Sequence, residues 1–456
     1  MRLQHLILAS LLVAGAPAWA QSASSAQSLP PLPDLSRVID VDPLVGAAQE
    51  AISVKDWGRL EQITRRLTEL RPHNGNFALE HAASIALQGD RTRAYDLLLR
   101  LNETGWGFDL ADDPRFDKIK GTEVWDFIAE RSAQVLTPQG QGAVALSLPA
   151  DDLMLEALTF DPTRKEFLLG AVRQPTIFRL ADGGKLEPLI KGDADNHLWG
   201  VYDMAVDAKR DRLWVATMAS AMTDDIAGQD YGRAAVLAFK LSDGSFVSRH
   251  QPPADGRNYL FPALAIAPDG AVFVADSLNR SVWKVEGEAL RLVAENPRLS
   301  RVRGLTVSSD GEVLYFADYN GGLFGVELAT GTPFVVGVAK GVSLSGIESL
   351  YTFGKRLVAV QNAMTPPRIV LLDLSPDGRN VARTLVVDSG QAQFTGLTRG
   401  VVVGDAFNVI ANTQRGKYTP LGRLAQGLEL EPLKIWRATL DAPLEAPRAP
   451  LIAPGG

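Results

Sequence analysis

"RGLTVSSDGEVLYFADY", residues 303 to 319, holds the pattern that decides the fold. Apolar residues alternate through Leu305 and Val307, a Ser-Asp-Gly turn follows at Ser309 to Gly311, and a larger, more aromatic strand begins at Val313. A period of two marks strands with two distinct faces, and a Gly-bearing turn between them marks a hairpin. The unit returns as "EALTFDPTRKEFLLGAV", "YDMAVDAKRDRLWVATM", "PALAIAPDGAVFVADS", "SGIESLYTFGKRLVAVQN" and "TGLTRGVVVGDAFNVIAN". Aligned on their first residues, the six units begin at Glu156, Tyr202, Pro262, Arg303, Ser345 and Thr395. Their spacing of roughly 40 to 60 residues is the period of four-stranded propeller blades. The expected fold is mainly β, a six-bladed β-propeller over residues 142 to 441.

Outer strands follow the hairpins, as in "AAVLAFKLSDG" and "RIVLLDLSPDG". The last unit has a third strand in "LKIWRATL" and no fourth after it. "GAVALSLPA", residues 142 to 150, is the expected completing strand, closing the ring end to end and leaving no long open edge.

Upstream, residues 43 to 135 switch to helical spacing. "DWGRLEQITRRLTEL" puts Trp57, Leu60, Ile63, Leu67 and Leu70 on one stripe. "FALEHAASIALQGD" and "RTRAYDLLLRL" form a second pair around a Gly-Asp turn, with Ala82 and Ala94 as small residues for a close crossing. The pair resembles a tetratricopeptide repeat over two units at most, followed by a helix around Phe116 to Ser132 anchored by Trp125 and Phe127. Such a unit serves either as a cap on the propeller or as a groove for a peptide or protein partner.

The first 20 residues read as a signal peptide: Arg2, an apolar run from Leu6 to Ala14, and small residues at Ala18 and Ala20. Residues 21 to 42 form a polar and Pro-rich linker, and residues 442 to 456 a Pro/Ala tail. A mature, periplasmic or secreted protein with no integral membrane segment is expected, because no later stretch is apolar for long enough to span a bilayer. With 46 Lys and Arg against 53 Asp and Glu, no basic block and no cysteine, the chain lacks nucleic-acid, disulfide and lipid-anchor signatures.

In a hairpin the start of the first strand lies beside the end of the second, so both sets of residues share one channel mouth. The strand starts nominate Glu156, Tyr202 with Asp203, Arg303, Ser345 and Thr395. The strand ends nominate Asp276, Ser277, Asp318, Tyr319, Gln361, Asn362, Asn412 and Gln414. Acids and amides converging on one opening suit a polar ligand or a cation. Asp276 and Asp318 have a second reading, as carboxylates that bond neighbouring turns. Glu156 and Asp203 are candidate general bases, and Arg303 is either an ion-pair partner or an anion anchor. "GDADNHLWG" brings Asp193, Asp195, Asn196 and His197 near the mouth, His197 being the histidine placed for acid-base work. Ala219 to Gly232 is an insertion of the composition expected for a lid. No serine-hydrolase elbow, zinc-protease helix or phosphate-binding glycine loop is present in the sequence.

"GLTVSSDGEVLYFAD" and "AIAPDGAVFVADS" are similar to the repeats of NHL-type and gluconolactonase/regucalcin-like six-bladed propellers. The resemblance covers the propeller and implies a divalent cation, calcium or zinc, in the channel, held by a Glu opening the first blade, an Asn opening an "NG" motif and an Asp opening another blade. Glu156 matches the first; Arg303-Gly304 stands at the "NG" position, and no aspartate matches the third. Two functions are therefore expected: binding of a small polar molecule, peptide or partner at the mouth, or metal-dependent hydrolysis of lactones or related esters.

Overall fold

The computed structural model describes residues 29 to 440 and 444 to 445; the expected leader, the first part of the linker and nearly all of the tail lie outside the described residues. The chain divides into two compact units, one helical and one built of strands, with the strand unit holding residues 103 to 107 and everything from Gln134 onward.

The helical unit contains α1 (Val41–Ser53), α2 (Trp57–Leu70), α3 (Gly75–Ala86), α4 (Arg91–Glu103) and α5 (Glu123–Leu136). The Asp56 carboxylate caps α2 by accepting the Arg59 N–H at 3.0 Å. The predicted stripe Leu60, Ile63 and Leu67 packs on Leu44, Val45, Ala48 and Ala51 of α1. Ala82 of α3 and Ala94 of α4 are fully buried, as a close crossing requires. On α5 the buried face is Trp125, Ile128 and Ser132, and Trp125 meets Phe116 at 5.6 Å. Phe127 is exposed rather than an anchor, because it falls between the buried positions of that 3.6-residue period.

The strand unit is a six-bladed propeller. Its inner strands are Leu155–Asp161, Gly200–Asp207, Ala263–Ile266, Val302–Val307, Ile347–Phe353 and Gly400–Val403; from each, antiparallel strands run outward in chain order, except that Gly337–Val338 adds in parallel to the outside of the fifth sheet and the outermost strand of the sixth comes from the start of the unit. Gly270 and Gly311 sit at φ +93° and +79° in their hairpin turns, conformations that favour glycine. Ala143–Leu148 pairs with Leu433–Thr439 as the outermost strand of the sixth blade, which is the expected end-to-end closure. Asp388 pins it by accepting the Gly142 N–H at 3.0 Å and the Trp436 indole at 2.9 Å. The hydrophobic core lies between blades: Ala157, Ile177, Val201, Met204 and Leu237 pack across the first two.

The fifth and sixth inner strands begin later than the sequence alignment placed them, after Ser345 and Thr395. Ser345 and Thr395 lie in the segments that lead into these strands.

Candidate functional site

In four blades the register between first and second strands skips one residue: between Leu155 and Ala157, Val201 and Asp203, Val302 and Gly304, and Ile347 and Ser349. The skipped residues are Glu156, Tyr202, Arg303 and Glu348. A bulge frees its extra residue from the ladder and re-aims the side chain, and repetition of this device sets four polar side chains at the same level, where the inner strands begin. Three of them are legible from the sequence. Glu348 is displaced by the alignment on Ser345; matching "ESL" at 348 to 350 with "EAL" at 156 to 158 recovers it.

Glu156 is fully buried. Its carboxylate accepts hydrogen bonds from the Thr413 hydroxyl, from the Thr398 hydroxyl at 3.2 Å and from the Arg415 guanidinium at 2.6 Å. Glu348 faces three guanidinium groups, with Arg303 at 3.4 Å, Arg399 at 3.8 Å and Arg415 at 4.0 Å. Arg399 also donates to the backbone carbonyls of Glu348 and Arg303 at 2.8 and 3.1 Å, satisfying open edges of two inner strands. Burial alone would push the Glu348 carboxyl up, but Arg303, Arg399 and Arg415 together hold it below the usual carboxylate range. Arg303 shows the other side of this sharing. Burial pulls its guanidinium below the usual range, and attraction to Glu348 is opposed by Arg415 and Arg399. Arg415 and Arg399 have no counterpart among the residues nominated from the sequence, since both lie where the sixth repeat departs from the others.

The strand-end residues separate into two sets by parity. Asp276 accepts the N–H groups of Leu260, Leu278 and Asn279 and the Asn279 side chain. Asp318 accepts from the N–H groups of Ser300, Arg301, Asn320 and Gly321 and from the Ser300 hydroxyl. Gln361 donates to the carbonyls of Ser343 and Ser345, and Asn412 ties Pro432 to Lys434. These side chains fasten backbone. The next residue along turns the other way at Tyr319, which donates to Asn362 at 2.6 Å, and at Thr413, which reaches Glu156, whereas the Asn362 amide also fastens backbone by donating to the Leu397 carbonyl at 2.8 Å. Ser277 instead bonds back through its N–H to Leu260, and the Gln414 amide donates to Asn412.

Asp203 follows the Tyr202 bulge and accepts the N–H groups of Met204 and Leu264 at 3.0 and 2.9 Å. Burial pushes its carboxyl up to about 6, with Arg399 and the two N–H donors acting in the opposite direction. Asp203 and Arg399 both line a cavity of about 410 Å³ to which the inner strands of all six blades contribute.

His197 is exposed on the crossover between the first two blades at φ +47°, and no hydrogen bond or ion pair joins it to Glu156 or Asp203. Asn196 folds that loop on itself, accepting from Asp193 and Leu198 and donating to Lys191, while Asp193 accepts the Asp195 N–H. The insertion at Ala219 to Gly232 does reach the mouth, since Ser220 bonds the Tyr202 hydroxyl at 2.9 Å. A second loop, residues 415 to 432, meets it. Arg173 holds the two together, binding Asp152 and Asp224 and donating to the carbonyls of Met222 and Gly422. Tyr418 lies under Arg173 at 5.1 Å and bonds Asp152.

The residues around Glu156 do not fit a divalent cation. A cation needs converging lone pairs, whereas Thr413, Thr398 and Arg415 present donors to this carboxylate, and Arg303 brings positive charge to the "NG" position. Among the described residues no group of three or more His, Cys, Asp or Glu side chains is placed to hold a metal.

No family model matches the chain, and no curated protein matches it. Solved structures similar to this chain include the calcium-binding regucalcin of Agrobacterium tumefaciens, 13% identical over 64% of this chain and 95% of that one, TM-score 0.43. A gluconolactonase from Xanthomonas campestris is 12% identical over 65% and 98%, TM-score 0.42. The PQQ-bound aldose sugar dehydrogenase of Streptomyces coelicolor is 11% identical over 66% and 100%, TM-score 0.44. The six blades rest on the sheet order itself.

Proposed function

We propose that the propeller is a binding protein that takes a small polar molecule at the mouth where its inner strands begin. The observation that carries this reading is the repeated bulge, which places Glu156, Tyr202, Arg303 and Glu348 outside the strand ladder at one opening. Bulges spent on four blades at the same level, two loops fastened beside them by Arg173, and half-buried polar groups on Tyr319 and Asn362 are features of a recognition site. The export expected from residues 1 to 20 belongs to the same proposal and is read by N-terminal sequencing of the mature protein, which should begin at Gln21. Calorimetric titration with a panel of sugars, amino acids, organic acids and phosphates tests the binding role. A saturable response weakened by Tyr319→Phe or Asn362→Ala supports it, and a panel without any response contradicts it.

A second reading, hydrolysis of a lactone or related ester, has one observation in its favour. Asp203 stands in a cavity of about 410 Å³ with its carboxyl pushed up to about 6, close to the value of a working general base, and Arg399 lines the same cavity. Hydrolysis of glucono-lactone that disappears in Asp203→Asn would favour this reading over binding alone.

A further inference from the structure

The charged cluster of the mouth is sealed unevenly. Its carboxylates are closed off, with the side chain of Glu156 1% exposed and that of Glu348 4%. Arg399 is equally closed at 4%. Solvent reaches the two remaining cations: the Arg303 side chain is 15% exposed and that of Arg415 31%. The surface offered to an incoming molecule is therefore positive, although the cluster behind it contains two acids. Arg301, exposed beside Tyr319, adds to the same sign.

Arg303 is also incompletely satisfied. Its Nε is buried and makes no hydrogen bond, standing 3.4 Å from Glu348 without the alignment of one. Glu348 is shared with Arg399 and Arg415, so no carboxylate belongs to Arg303 alone. That Nε is sealed beside Glu348, so an incoming oxyanion meets the part of the same guanidinium that solvent reaches, whose planar fork of donors matches a carboxylate or phosphate. Neutral polar groups gain far less there. Beside the cations, Met218, Met222, Leu260 and Leu430 pack half-buried on Tyr202 and Tyr418, giving an apolar wall for the rest of such a molecule.

We infer that the mouth selects a small organic anion, its carboxylate or phosphate held by Arg303 and Arg415 and its body against the apolar wall. The inference rests on the reading of the mouth as a binding site and narrows it to one chemical class. Glu156 and Glu348 then act as fixed counter-charges that hold the guanidinium groups in place before the ligand arrives.

Benzoate and benzamide, which share shape and differ in charge, are the direct probes, with inorganic phosphate as a third. Titrated into the full mature protein, benzoate or phosphate should bind at least about tenfold more tightly than benzamide, and Arg303→Met should weaken that binding by about tenfold or more, with Arg303→Lys recovering part of it. The stronger of the two anions identifies carboxylate or phosphate as the preferred head group. Labelling of the unaltered protein with phenylglyoxal, read by peptide mass spectrometry, should show Arg303 and Arg415 protected by the bound anion, a readout that does not depend on a variant folding. Equal affinity for benzamide and benzoate, reduced by Asn362→Ala, would overturn the anion inference and leave the binding site standing. Anion binding untouched by Arg303→Met and without protection of either arginine would place the anion elsewhere and overturn the inference. Silence from all three probes and no protection would overturn it together with the broader reading if the wider panel is also silent.

Discussion

Asp318 and Glu348 are both buried carboxylates on the propeller face where the inner strands begin, and they do opposite kinds of work. Asp318 accepts five hydrogen bonds, all from the segment that leads into its own blade and the turn that leaves its second strand. Glu348 faces three guanidinium groups contributed by two other blades, Arg303 from the fourth and Arg399 and Arg415 from the sixth. Asp276, Gln361 and Asn412 belong with Asp318, and Glu156 belongs with Glu348. Position in the ladder decides the difference: the first group ends a paired strand, where local backbone is within reach, and the second occupies bulges, where it is not. Residue type alone does not separate a latch from a site.

The largest effect that would sharpen this comparison is expected at Glu348. Glu348→Gln leaves three guanidinium groups without their shared counter-charge and should cost about 3–5 kcal/mol in urea unfolding, the usual range for a broken buried pair. A loss below about 1 kcal/mol would mean that solvent already screens the cluster.

Asp203 comes next and is read through pH. Its folded-state pKa is raised from 3.8 to about 6, so the folded protein holds this proton more tightly than the unfolded chain does. The stability tied to that proton is complete below 3.8 and is lost as pH rises through 6. Asp203→Asn, which does not titrate, should therefore gain on the unaltered protein between pH 4 and pH 7, by up to about 3 kcal/mol. A difference that stays flat with pH would place the Asp203 carboxyl in the ordinary range.

Asp318→Ala leaves several N–H groups without an acceptor and should lower stability by about 1–3 kcal/mol. Anion affinity should stay unchanged, and a parallel loss of affinity would break the division between latch and site. The smallest effect is expected at Arg173. Its partners Asp152 and Asp224 are about half exposed, so Arg173→Ala should cost under about 1 kcal/mol in stability. It should nevertheless speed limited proteolysis within residues 219 to 232, because the tie between the two loops is gone.

The repeat, the strand that closes the ring and the helical stripe were legible because each follows from a periodic apolar pattern. Glu156, Tyr202 and Arg303 were legible because they open well-aligned repeats. Glu348 was hidden by an alignment that favoured Ser345, and Arg399 and Arg415 by a sixth unit whose alternation starts only beyond Thr395. The direction of each strand-end side chain was not legible. Whether Asp318 or Tyr319 turns into the mouth depends on a register that a bulge shifts by one, and a bulge has no fixed sequence signal.

Anomalous diffraction from crystals soaked in bromide tests the central claim most directly, since it reports where an anion settles without a choice of ligand. A peak in contact with the guanidinium groups of Arg303 and Arg415, displaced when benzoate is added, is the result this account predicts. Bromide at arginines on the outer surface with none at the mouth would contradict it.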